Sequence, residues 1–282
     1  MTFSPGAVLA PAVDWLNQNL HPLFGAIAAV VNAVVNAVVG TVQAVLLWPP
    51  ALAVIAVVAV LALVLLGWRM AVLALVALGF CLVMNLWKQS METVALVVVA
   101  VAISVAIAVP LGILAARRPR VEAALRPVLD IMQTVPPWVY LIPAVIVFSL
   151  GQVPAIIATI VYGVPPMLRL TTLAFKQVPK GLMELGQAIG AEPRTIMTKI
   201  EVPAAMPTLV VGLNQCILLS LAMVVLAGLV GAGGLGAEVT RGLTRMEMGL
   251  GLRAGLVIVA VAILLDRLSR AALQRDRSRG AA

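Results

Sequence analysis

Seven stretches of this chain run to near membrane-crossing length with almost no charge, and no soluble fold can hide that much apolar surface. They occupy 49–66, 70–86, 93–116, 131–150, 153–168, 204–230 and 246–265. A crossing helix needs roughly 20 apolar residues, and in lipid only helices or closed barrels satisfy their own backbone. The chain is 63% hydrophobic and 11% charged, with mean hydropathy +1.13, far outside the range of a soluble domain. The expected fold is all-α, a polytopic membrane protein with about seven transmembrane helices. Arg253 lies inside the outer end of the last run and must snorkel or face protein. Pro110, Pro136, Pro137, Pro143, Pro154, Pro165 and Pro166 mark kinks and helix ends within these runs.

Basic residues set the orientation. With 176–203 in the cytosol, alternation of the spans brings Arg69, then Arg117, Arg118, Arg120 and Arg126, then Arg169, Lys176, Lys180, Arg194 and Lys199, then Arg267, Arg270, Arg275, Arg277 and Arg279 to the same side. Only Lys88, Arg241, Arg245 and Arg253 of the 19 basic residues fall opposite. The positive-inside bias then predicts an outer N-terminus and a cytosolic C-terminus. The net charge of +8 reflects topology and anionic headgroups, with no sign of nucleic-acid binding.

No Lys or Arg precedes Arg69, so the basic start of a cleaved signal is missing and the N-terminal segment is expected to stay. Within 24–48, Asn32, Asn36, Gly40 and Gln43 share one helical stripe. A helix lying in the outer interface explains the stripe, and an eighth span is the competing explanation.

The polar segment 176–203 carries the most specific pattern. Residues 177–189 read as a short helix, Gly190 as the left-handed residue that ends it, and Pro193 as the opening of a second helix. Glu184, Gly190, Ile200 and Pro203 stand at the spacings of the EAA loop of ABC-importer permeases, which the segment resembles, with Leu185 and Gly186 replacing the two alanines and Val202 a leucine. The plain alternative is an amphipathic cytosolic loop.

Several chemistries have no material. His21 is the single histidine, so neither a metal site nor a histidine-based triad can be assembled. Cys81 and Cys216 sit in apolar runs and read as small buried hydrophobes. No Gly-x4-Gly-Lys-Ser/Thr occurs, so ATP would have to be held by another subunit. The glycines 231, 233, 234 and 236 read as a tight turn after the sixth run.

Beyond the loop, the chain resembles the permease subunits of glycine betaine/proline ABC importers, the osmoprotectant and choline uptake family. The residues that carry this include 129–136 (LDIMQTVP), 140–143 (YLIP), 203–208 (PAAMPT), 212–215 (GLNQ), 220–225 (SLAMVV) and 233–236 (GGLG). The resemblance runs from about Trp15 to Ala272 and is dense from Met91 onward. It implies a permease of an ATP-driven importer for a quaternary-ammonium osmolyte such as glycine betaine, proline or choline, with no cofactor on this chain. It further implies a homodimer, two ATPase subunits docked on the cytosolic loops, an extracytoplasmic substrate-binding protein, and residence in the bacterial cytoplasmic membrane. The last five spans would form the type I importer core. The expected organisation is an extracytoplasmic segment over 1–47, two scaffold spans over 48–90, the core over 91–270 with its coupling loop, and a basic tail over 271–282.

The resemblance implies coupling to the ATPase through Glu184, Leu185, Gly186, Ile189, Gly190, Ile200 and Pro203, with Glu184 meeting a basic residue of the partner. For the substrate path, Trp138, Tyr140 and Tyr162 are the aromatics nearest the core and could hold a quaternary ammonium, although belts of Trp and Tyr at the membrane surface are the commoner use. Asn214 and Met223 complete the candidate path. Asp130, Glu92 and Glu238, at or near span ends, either face a water-filled path or are hydrated at the surface. The competing function is a secondary transporter or channel for small organic cations or zwitterions, which should show paired inverted halves and buried coupling carboxylates.

Overall fold

The computed structural model describes the backbone of residues 5–279 and the side chains of 25–271. It is helical throughout, in the order α1 (Pro5–Leu47), α2 (Ala51–Leu66), α3 (Trp68–Val83), α4 (Trp87–Arg117), α5 (Pro119–Thr134), α6 (Pro137–Phe148), α7 (Gln152–Lys176), α8 (Lys180–Ala188), α9 (Pro193–Ile196), α10 (Val202–Ala227), α11 (Gly234–Thr244) and α12 (Met248–Arg279). A π-helical turn at Met197–Glu201 fuses α9 to α10, and a 3-10 turn at Gly228–Val230 follows α10. Among the described residues, five helical stretches are long and apolar enough to cross a membrane: Gly25–Leu47, α4, α7, Pro193–Val230 and α12.

The remaining expected runs take other forms. The run 131–150 breaks where Pro136 and Pro137 deny the helix two amide donors, and α5 and α6 meet there at 95°. Counted as one bent span, they make a sixth crossing. The first two runs become the 16-residue helices α2 and α3, turned against each other at Gly67, whose φ is +96°. Each is about 24 Å long at 1.5 Å per residue, short of a roughly 30 Å hydrocarbon core. Ala62, Ala71, Ala74 and Ala77 are buried in the small cluster formed by this hairpin, and such small side chains let helix backbones approach where lipid removes the hydrophobic drive. The stretch 24–48 lies within α1, which rests on α4, α6 and α7. Val39 is fully buried there, while Asn32 and Gln43 are half-buried at the edge of the contact and Asn36 is exposed.

Helices α4, α7 and α10 form the centre. Their crossings depend on glycine: a Cβ on Gly112 would meet Thr171 at 2.6 Å, and one on Gly163 would meet the Cys216 thiol at 3.1 Å. Thr172 adds a hydrogen bond from its hydroxyl to the Gly112 carbonyl at 3.2 Å, tying α7 to α4. Cys81 and Cys216 are both buried free thiols.

The glycine cluster does more than turn the chain. Gly231, Gly233 and Gly234 take φ of +77°, +80° and +68°, and α11 then starts. Its first two amides are satisfied from α4, Gly234 N–H donating to Glu92 Oε2 at 3.0 Å and Leu235 N–H to Thr93 Oγ1 at 2.8 Å. Helix ends leave such amides without partners unless side chains accept them.

Candidate functional site

Two features stand out: the helix-turn-helix at 180–203 and a charged cleft between α5 and α7. In the first, α8 ends at Gly190, whose φ is +71°, and Pro193 occupies the first turn of α9. The Ala191 amide donates to the Gly186 carbonyl at 3.0 Å and the Gly190 amide to the Gln187 carbonyl at 3.0 Å, closing the helix end.

Gly186 is the buried residue of α8. A Cβ there would lie 2.8 Å from Ile200 Cδ1 and 3.2 Å from Ile196 Cγ1, so the missing side chain is what lets α8 sit directly on the π-helical turn. Leu185 and Ile189, by contrast, point outward at 59% and 74% exposure. Glu184 is exposed and has no ion-pair partner among the described residues, and Pro203 is exposed at the start of α10. The arrangement gives one small rigid unit: an inner contact of Gly186, Ile196 and Ile200, and an outer face of Glu184, Leu185 and Ile189. It is anchored to the bundle by Glu201, 9% exposed, which accepts a 2.6 Å hydrogen bond from Arg117 at the end of α4.

The second feature is a cavity of about 500 Å³ lined by α4, α5 and α7. Glu122 of α5 pairs with Lys176 of α7 and with Arg126, and one α5 turn pair further on, Asp130 pairs with Arg169 of α7. Leu125, Leu129, Leu168 and Leu173 line the space between these charges. Glu122 precedes the apolar run 131–150 and accepts hydrogen bonds from both Lys176 and Arg126. These cross-helix pairs join residues 39 and 54 positions apart, and nothing local in the sequence signals them.

The five residues expected on the substrate path are spread over α6, α7 and α10, and Tyr140, Tyr162 and Met223 belong to one core cluster. Trp138 is 53% exposed on α6. The Tyr140 hydroxyl donates to the Ile131 carbonyl at 3.1 Å, bridging the break between α5 and α6. Tyr162 packs against the core from α7. Asn214 is buried and accepts from the Ser269 hydroxyl at 3.0 Å, a bond between α10 and α12, and Met223 is 1% exposed nine residues further along α10. None of them lines the charged cleft. Of the acids at span ends, Glu92 caps α11, Glu238 holds Arg241 with both oxygens at 2.9 and 3.0 Å, and Asp130 belongs to the cleft.

The helical bundle has the fold of a type I ABC importer permease. The chain superposes on the MetNI methionine ABC transporter in an inward-facing conformation with a TM-score of 0.56 and 25% identity, over 67% of this chain and 93% of that one. Residues 108–277 match the family model described as binding-protein-dependent transport system inner membrane component. The chain belongs to that family. It is 42% identical to the glycine betaine/proline betaine transport system permease protein of Escherichia coli (strain K12), over 95% of this chain and 75% of that protein. To the glycine betaine transport system permease protein of Bacillus subtilis (strain 168) it is 38% identical, over 95% of this chain and 94% of that one. It is therefore a multi-pass inner-membrane transport subunit and not an enzyme. Its family works with an ATPase and a substrate-binding protein, and its permeases carry no cofactor of their own.

Proposed function

We propose that this chain is the translocating subunit of an importer for glycine betaine or a closely related osmolyte, such as proline or choline. It acts as a homodimer, with two ATPase subunits that bind ATP and an extracytoplasmic binding protein that delivers the cargo. The observation that carries the cargo class is the identity of 42% and 38% with two glycine betaine permeases across nearly the whole chain. The coupling role of Glu184, Leu185, Gly186, Ile189, Gly190, Ile200 and Pro203 is supported by the outward face of Glu184, Leu185 and Ile189, the inward contact of Gly186 with Ile200, and the turn at Gly190, all leading into α10 at Pro203.

Reconstitution tests this reading. In liposomes, the chain alone is expected neither to bind ATP nor to accumulate glycine betaine, because it has no phosphate-binding loop. Adding the ATPase and binding protein should produce accumulation that depends on ATP and survives collapse of ion gradients. Accumulation by the isolated chain under a sodium or proton gradient alone would replace the proposal with a secondary transporter.

Orientation belongs to the same proposal. The charge distribution supports a cytosolic α4–α5 loop, α8–α9 segment and C-terminal tail and an external N-terminus. Reporters at Arg118, Lys180 and Ala281 should read as cytosolic and one at Thr2 as external. A cytosolic Thr2 would instead make Gly25–Leu47 a crossing helix.

A further inference from the structure

The Asp130–Arg169 pair stands at the edges of two apolar runs, Asp130 just before 131–150 and Arg169 just after 153–168. Along α7, Arg169 is seven residues inward from Lys176, about 10 Å at 1.5 Å per residue, and Asp130 is about 12 Å inward of Glu122 along α5. Neither is buried by protein, since the side chains of Arg169 and Asp130 are 44% and 64% exposed. An ion pair beside apolar runs avoids hydrocarbon; such residues line water-filled paths or protein contacts or meet water at the span end. The pair borders the 500 Å³ cleft, whose remaining lining mixes leucines with the Glu122, Arg126 and Lys176 charges.

We infer that this cleft is a site on the translocation path that takes a zwitterion, its carboxylate held by Arg169 and its N-methylated cationic end set beside Asp130 against Leu129 and Leu173. The chemistry is matched part by part. The guanidinium offers a planar fork to a carboxylate. A quaternary ammonium has no N–H to donate, so it needs a nearby negative charge and apolar walls in place of hydrogen-bond acceptors, which Asp130 and the leucines supply. The resident ion pair keeps both charges neutralised between cargo molecules, and a zwitterion exchanges into it without leaving either charge alone. Binding of a permanent cation alone would leave Arg169 without its counter-charge. This inference rests on the cargo class proposed above.

The test uses the complete transporter in liposomes with Leu173→Cys in this chain. The native thiols Cys81 and Cys216 are 0% exposed and give little background. A membrane-impermeant cationic methanethiosulfonate applied from the cytosolic side should label Cys at 173, and glycine betaine at about ten times its half-protecting concentration should slow labelling about tenfold by mass action. Adding Arg169→Gln should raise the half-protecting concentration of glycine betaine roughly tenfold, the usual loss for one hydrogen bond to a charged group. Protection by choline, which has no carboxylate to lose and would no longer compete with Arg169 for Asp130, should hold or strengthen with that substitution. Labelling that glycine betaine does not slow, or a position 173 that the reagent cannot reach, overturns the site. A parent complex that accumulates no glycine betaine overturns the cargo class instead, whereas accumulation without protection overturns the cleft alone.

Discussion

Glu184→Lys should leave the protein inserted in the membrane at normal level yet lower ATP-driven uptake by about tenfold or more, the loss expected when one charge of a docked pair is reversed. Glu184 is exposed and has no internal ion-pair partner among the described residues, so the bundle itself loses nothing when the charge is reversed. Any effect must come from what docks there. Gly190→Val tests the same unit by another route. A Cβ at Gly190 has open space around it, but its φ of +71° is one that a β-branched residue avoids, at a cost of about 1–3 kcal/mol. The turn relaxes and re-aims α8 without disturbing the span. Both variants should insert normally and fail to co-purify the ATPase. Normal uptake by both would remove the coupling role from this loop.

The largest stability effect is expected at Gly236. A Cβ there would stand 2.4 Å from the Val224 carbonyl oxygen and 2.9 Å from that of Val225, and one on Gly228 would stand 2.2 Å from the Gly236 carbonyl carbon. These neighbours are backbone and cannot rotate aside, so Gly236→Ala has to push α11 off the end of α10. Overpacking against movable side chains costs about 1–3 kcal/mol, and a rigid backbone neighbour should reach at least the top of that range. Thermal unfolding in detergent, followed by the monodispersity of the purified protein, measures it. Gly79→Ala is the matching control: no atom lies within 4 Å of its added Cβ, and Ala is the better helix former by about 0.5–1 kcal/mol. Equal melting temperatures for Gly236→Ala and the parent would mean that α11 does not pack as described.

How far the sequence foretold this molecule depended on how local each signal was. The α8 turn was legible because its determinants, Gly190 and Pro193, act through their own φ and missing donor. The apolar runs were legible as helices, but their continuity was not. Pro136 and Pro137 in the 131–150 run announce a break but not its angle, and the structure turns it into a 95° corner with α6 packed on α7 and α1. The α11 helix escaped because its glycines read as a turn and its other residues alternate between apolar and polar without a spanning run; its start depends on Glu92 and Thr93, more than 140 residues earlier. The substrate path was sought among aromatic residues by type. The structure also brings oppositely charged residues of α5 and α7 to one cleft, a pairing that no local signal around Arg169 announces.

From Pro193 to Val230 the chain stays helical without interruption for 38 residues, about 57 Å at 1.5 Å per residue. One shaft thus joins the surface on which α8 rests to the far end of the bundle. A shaft carries phase as well as displacement. Each residue inserted between Ile200 and Asn214 would turn one end against the other by about 100°, swinging Asn214 away from Ser269 while the α8 contact stayed in place. Surface loops elsewhere in the protein are free to drift in length, but here the number of residues is itself a geometric parameter, as fixed as the identity of any side chain along it.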